Sequence, residues 1–125
     1  MNFLPDLLYH REHMWLRREG SDEAVLGVTE FAQEQLGQIS FIEHLDPGEL
    51  ITLNGAFGTI ESAKTASDLI APASGTILCR NERLNEEPWL VNEDPYGEGW
   101  ILRIRLADPA ELDVLLSPEQ YGNAL

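Results

Sequence analysis

Apolar and polar positions alternate in short runs along most of the chain, a period of two that reads as β-structure. In the clearest case, Trp100, Leu102, Ile104 and Leu106 fall on one face and Arg103 and Arg105 on the other. This predicts a half-buried strand over 100–106. Around His13–Arg18 and Ala24–Val28, two apolar-rich runs flank the polar Glu19-Gly20-Ser21-Asp22 and predict a hairpin. Ile39–Ile42 reads as a strand and Asp46-Pro47-Gly48 as a turn. Two β-prone runs, Ala56–Glu61 and Ser67–Pro72, surround the small residues Ser62-Ala63-Lys64-Thr65-Ala66. They form a hairpin with Lys64 near its tip, although the Ala-containing centre also allows a short helix. Ser74-Gly75 marks a turn before the strand Thr76–Cys79.

Helices are expected to be few and short. Thr29 is placed as an N-cap for Glu30–Leu36, which Gly37 ends. A polar region around Asn85–Pro88 leads into one helical turn at Trp89–Val91, and Asn92–Gly99 reads as loop. Two capping boxes with proline at the first helical position, Asp108-Pro109-Ala110-Glu111 and Ser117-Pro118-Glu119-Gln120, open two short helices at the end. Many short strands with frequent turn signals predict a mainly β fold, an antiparallel sandwich or barrel with helices outside. Residues 1–125 read as one domain, and the sequence shows no demonstrable internal repeat.

Composition narrows the partners. Asp and Glu total 22 against 8 Lys and Arg, a net charge of −14. That field repels nucleic-acid phosphates and anionic membranes, and it suits basic protein surfaces or plain solubility. No stretch reaches the apolar length of a membrane span, and the first residues do not read as a signal peptide. Cys79 is the single cysteine, which fits a reducing cytosol, with an organelle expected only if a transit peptide has been removed. Cys79 reads as a small strand side chain rather than a nucleophile. The histidines His10, His13 and His44 share no metal-ligand spacing, and His10 and His44 are expected at the polar surface. Glu86, Glu87, Glu93, Asp94 and Glu98 do not match a calcium loop and read as a solvated or docking face. Trp15, Trp89 and Trp100 are assigned to packing.

Among the basic residues, Lys64 is the only lysine; the other seven are arginines. Arginine supplies positive charge but no amine nucleophile at neutral pH. Compositional drift accounts for the missing lysines but not for where the retained one sits. A Schiff-base lysine needs burial or neighbouring cations, whereas Glu61 and Asp68 flank this one. A phosphate site is disfavoured by the same two acids and by the absence of a Gly-rich cradle. Covalent attachment of a group fits a tight turn with small flanking residues.

The run Glu61-Ser62-Ala63-Lys64-Thr65-Ala66-Ser67-Asp68-Leu69, continuing through Ala71-Pro72 and Ser74-Gly75, resembles the lipoylation segment of the glycine cleavage system H protein family. His13 and Trp15 match an early His-x-Trp signature, Gly27–Gly37 resembles the family's first helix, and Leu90–Trp100 is similar to its late loop. The resemblance implies a barrel-sandwich hybrid, the flattened β-barrel of lipoyl and biotinyl carriers, with short peripheral helices. It also implies lipoic acid covalently held on Lys64, with Glu61 and Asp68 read by the lipoyl-attaching enzyme and His13 lining a groove for the arm.

The implied partners are glycine decarboxylase, a tetrahydrofolate-dependent aminomethyltransferase and dihydrolipoyl dehydrogenase. The chain itself would be a monomeric, non-catalytic carrier of the aminomethyl group. Two departures stand out: His13-Met14-Trp15 where the pattern reads His-Glu-Trp, and Phe41–Asp46 where a Glu-Leu-Pro run is typical. Met14 keeps open a paralogue acting in lipoyl relay or sulfur metabolism. A biotin carrier would place methionine on both sides of the lysine, where this chain has Ala63 and Thr65. The lipoyl domains of 2-oxoacid dehydrogenase acyltransferases resemble Asp-Lys-Ala at that position.

Overall fold

The computed structural model describes residues 4–44, without the side chain of His44, and 46–125. The expectation for His44 therefore lies outside the described residues. The strands are β1 (Leu8–His10), β2 (Met14–Glu19), β3 (Glu23–Val28), β4 (Ile39–His44), β5 (Leu50–Ile51), β6 (Ala56–Ser62), β7 (Ala66–Ile70), β8 (Gly75–Arg80) and β9 (Leu102–Leu106). The helices are α1 (Glu30–Leu36), α2 (Leu90–Glu93) and α3 (Pro118–Ala124), with 3-10 turns at Glu82–Asn85 and Pro109–Val114. The strands form a six-stranded antiparallel sheet in the order β1-β2-β3-β9-β8-β5 and a three-stranded one in the order β4-β6-β7. This is the mainly β fold the pattern predicts, in the flattened barrel form that the resemblance implies.

Alternation explains why two sheets form. Leu16, Leu26, Leu102 and Ile104 of the large sheet and Ile42, Ile60 and Leu69 of the small one meet in one buried cluster. Their removal from water supplies the main drive to fold, at roughly 25 cal/mol per Å² of apolar surface. The large sheet is also covered outside, where Tyr9, Trp15 and Val25 pack with Tyr121 of α3. Trp15 is fully buried, and its indole N–H donates to the Pro95 carbonyl at 2.9 Å. Opposite it in register stands Gly27, where a Cβ would come within 2.6 Å of the indole ring. Only glycine fits there.

Several local expectations need correction. Trp100 does not share the face of Leu102, Ile104 and Leu106: it precedes β9 and packs with the outer cluster, while Ile101 is buried in the inner one. The helical turn α2 runs through Asn92 and Glu93, so the loop is shorter than expected. Asn92 justifies the extension, since its amide donates to the Gly37 carbonyl and the Gln33 side chain and accepts from the Ile39 N–H. The capping box at Ser117 forms, but Glu111 does not close one with Asp108. Its carboxylate accepts from the Ser74 N–H and hydroxyl, and the segment winds as 3-10 helix.

His10 is buried rather than at the surface. Its Nδ1 accepts from the Glu12 N–H at 3.0 Å, leaving Nε2–H to donate to the Asn54 side-chain oxygen at 2.6 Å. Cys79 lies exposed on β8. Trp89 is partly exposed. Of the acids assigned to a solvated face, Glu87 and Glu98 pair with Arg83. No helix among the described residues is long and apolar enough to cross a membrane.

Candidate functional site

The segment around Lys64 is a hairpin, not a helix. Strands β6 and β7 pair Ile60 with Ser67 and Glu61 with Ala66, and the Ser62 N–H donates to the Thr65 carbonyl at 2.8 Å. Ala63 and Lys64 are left as the whole turn. Neither has a positive φ, so the turn needs no glycine. The Ser62 hydroxyl holds it together, accepting from the N–H groups of Lys64 and Thr65, each at 3.2 Å.

The hairpin tip rests on the C-terminal end of α1, whose last carbonyls have no partner inside the helix. Gly37, at φ +83°, ends the helix and donates to the Gln33 carbonyl. The Ser62 hydroxyl donates to the Leu36 carbonyl at 2.6 Å, and the Lys64 ammonium donates to the Gln35 carbonyl at 3.0 Å. A cation there also matches the negative end of the helix dipole. Lys64 is exposed, and its partner is a backbone oxygen rather than Glu61 or Asp68.

Beside this contact lies a cavity of about 370 Å³. Gln35, whose carbonyl receives the lysine, is part of its wall. Met14, Val28, Phe31, Leu36 and Ile60 give it an apolar lining, with His13, Ser67, Asp68 and Glu12 as polar groups. A larger cavity of about 530 Å³ shares Glu12 and Ile70 with it but borders His10, Asn54 and Val114, away from the hairpin turn.

The predicted residues thus divide. His13 and Asp68 both border the cavity, Lys64 reaches its wall only through the Gln35 carbonyl, and Glu61 lies half-buried on β6 opposite Phe41 of β4. His13 is held with φ +68° at the turn before β2, against the Phe31 ring. Its Nδ1 is 2.8 Å from the Tyr121 hydroxyl, which is also 2.8 Å from the hydroxyl of Thr29, the N-cap of α1. Burial is the main cause that lowers the His13 pKa below 6.5, which favours the neutral ring. Gln35 and Phe31 were missed as site residues in sequence, because their helix spacing marks only an amphipathic face.

Among the described residues no group of three or more His, Cys, Asp or Glu side chains is placed to hold a metal. A flattened two-sheet barrel with one amine on a two-residue turn above a cavity has the make-up of a carrier for a covalently attached group. Comparison with known proteins gives that class a family. Residues 7–125 match the family described as glycine cleavage H-protein. The chain is 50% identical to the glycine cleavage system H protein of Bacteroides thetaiotaomicron, covering 97% of this chain and 95% of that one. It is 48% identical to that of Carboxydothermus hydrogenoformans, covering 100% and 96%. The crystal structure of a glycine cleavage system H protein from Mycobacterium marinum superposes with a TM-score of 0.88 at 32% identity, over 98% of this chain and 99% of that one. The chain belongs to the glycine cleavage H-protein family.

Proposed function

We propose that this chain, working as one lipoyl-carrier domain over 1–125, carries the aminomethyl group of glycine on a lipoyl arm amide-linked to Lys64. The observation that carries the reading is the position of the only lysine: on an exposed two-residue turn, with its amine 3.0 Å from a carbonyl of the residue that walls the cavity. The walls suit a lipoyl group. Met14, Phe31 and Leu36 offer apolar surface to an aliphatic chain and dithiolane, and His13 and Ser67 give it a polar edge.

When attached, lipoate supplies a strained disulfide that couples group transfer to thiol redox chemistry. The residues of this chain bind and orient. The hairpin fixes where the arm starts, the cavity walls shelter its cargo from water, and neutral His13 presents an uncharged ring there. Tethering then replaces free diffusion with a high local concentration at each partner. Glycine decarboxylase, the aminomethyltransferase and dihydrolipoyl dehydrogenase would take turns at the arm, and the lipoyl-attaching enzyme would read Glu61 and Asp68. Carrier chemistry of this kind needs no catalytic residue of its own, and the relatives from Carboxydothermus and Bacteroides are bacterial, which suits a cytoplasmic protein.

Met14 favours a second reading. Its side chain is fully buried at the cavity wall, so a thioether stands where a charge could face a cationic cargo. A lipoate-bearing paralogue in lipoyl relay or sulfur metabolism would tolerate that change. Lipoylated protein incubated with glycine decarboxylase should exchange labelled bicarbonate into glycine. Confirmed lipoylation without exchange would leave only the paralogue.

A further inference from the structure

The outer face of the three-stranded sheet has a role of its own to fill. Ile42, Ile60 and Ser67 stand opposite one another across β4, β6 and β7, and Ile42 and Ile60 belong to the core. The adjoining rows must face the other way. One is Phe41, Glu61 and Ala66, and the other is Glu43, Thr59 and Asp68. Phe41 is 50% exposed on the edge strand β4, opposite Glu61 and two residues from Glu43, next to the strand that leads into the lysine turn.

We propose that this face, with Phe41 as anchor and Glu43 beside Glu61 and Asp68, docks the enzyme that acylates Lys64. The complementary surface is basic and has an apolar pocket for the phenyl ring. The proposal rests on Lys64 being the lipoyl site.

Distance selects this partner. Phe41 lies one strand over and a few residues back from Lys64, on the order of 10 Å along the sheet. The enzymes that use the arm meet its dithiolane end, a lipoyl length beyond the hairpin. The acylating enzyme must bring its reacting carbon onto Nζ itself, so its contacts fall on the strands flanking the turn. In that step the bond from the lipoyl carbonyl carbon to a nucleotide phosphate oxygen, formed with ATP, breaks as the C–N bond forms. The nucleotide leaves as its monophosphate, and the lysine ammonium gives up two protons to solvent. Charge selects it as well: the two rows carry Glu43, Glu61 and Asp68 and no arginine, and such a face steers a basic surface. Leu50 is more exposed than Phe41, but it lies on β5 of the other sheet.

The test is the rate at which a lipoate ligase, given lipoate and ATP, modifies the purified unmodified chain at varied chain concentration, read by intact mass. F41A should raise KM about tenfold, as removal of an interface anchor does, with kcat little changed. E43Q should raise KM about twofold to threefold and flatten its rise with salt. L50A should match the unaltered chain, and thermal melts of all variants should coincide. An unchanged KM in F41A, while the parent chain is lipoylated normally, overturns the proposal alone. So does normal lipoylation of F41A followed by lost bicarbonate exchange, which would give the face to the decarboxylase. Failure of the parent chain to accept lipoate overturns the carrier reading and this proposal together.

Discussion

Two hairpins of the molecule, β2–β3 and β6–β7, are built from similar strands and put to opposite uses. The β2–β3 hairpin turns at Gly20, with φ +72°, and almost every residue of β3 is buried. Its closing pair, Glu19 opposite Glu23, sets like charges against each other, and Arg103 from β9 pairs with both. The β6–β7 hairpin turns at Ala63-Lys64, keeps Ala66, Ser67 and Asp68 exposed, and is tied at its tip only to the end of α1. One hairpin is fixed by burial on both faces. The other is fixed on one side and leaves its tip and outer face to water. Stability and presentation are therefore separable, and substitutions should affect one without the other.

The largest expected effect is on presentation alone. K64R keeps the charge and removes the amine, so modification should vanish while stability stays within about 0.5 kcal/mol, as for other exposed sites. Intact mass after co-expression with a lipoylation pathway, alongside a denaturant melt, reads both. Residual lipoylation in K64R would place the arm elsewhere and break the contrast. Next comes the reverse case. W15A empties the outer cluster at a fully buried ring and should cost about 3–5 kcal/mol. G27A drives a Cβ into the same indole and should cost about 1–3 kcal/mol. At temperatures where both remain folded, each should accept lipoate at the normal rate. Slower lipoylation there would show that the two hairpins are coupled.

The sequence made these two regions legible to different degrees. Lys64, the flanking strands, the Thr29 cap and the Ser117 capping box could be read directly, because each rests on local chemistry: a turn, a hydroxyl, a proline. Alternation gave a mainly β sandwich or barrel, and the resemblance gave its flattened form. What could not be read depends on contacts between distant segments. His10 is polar in isolation but can be buried because Asn54, far along the chain, accepts a hydrogen bond from its ring N–H. Glu111 has the spacing of a cap and is drawn instead to Ser74. Trp100 follows the alternation of β9 but sits before the strand begins, where the chain crosses to the outer cluster. The site was legible in part for the same reason: Lys64, Glu61 and Asp68 are neighbours in sequence, whereas Gln35 reaches the lysine only through the fold.

A smaller effect sharpens the account of the exposed hairpin. The Ser62 hydroxyl donates to the Leu36 carbonyl and accepts from two turn N–H groups. S62A should cost about 1–2 kcal/mol, the range for a part-buried hydrogen-bond centre. It should also slow lipoylation severalfold by loosening the turn, measured as kcat/KM with the ligase. A loss of stability with unchanged lipoylation would mean that the turn is shaped by the strands and not by its hydroxyl.

The smallest effect belongs to His13, which lies between the two regions: its ring lines the cavity while its Nδ1 faces Tyr121 of the buried outer cluster. Burial lowers its pKa below 6.5, Glu12 opposes the shift, and His10 adds to it. Around that pH the folded state binds fewer protons at this site than the unfolded chain, so stability rises with pH there. The full contribution is present above about pH 6.5 and is lost as pH falls through the lowered folded value. The stability of the parent chain relative to H13Q should therefore be constant above neutrality and shrink steadily on acidification. Paired melts of the two proteins from pH 8 to pH 5 cancel the carboxylates common to both. A gap that does not narrow would show that the imidazole titrates as it does in water, open to solvent and free of the hydroxyl pair that holds it over the cavity.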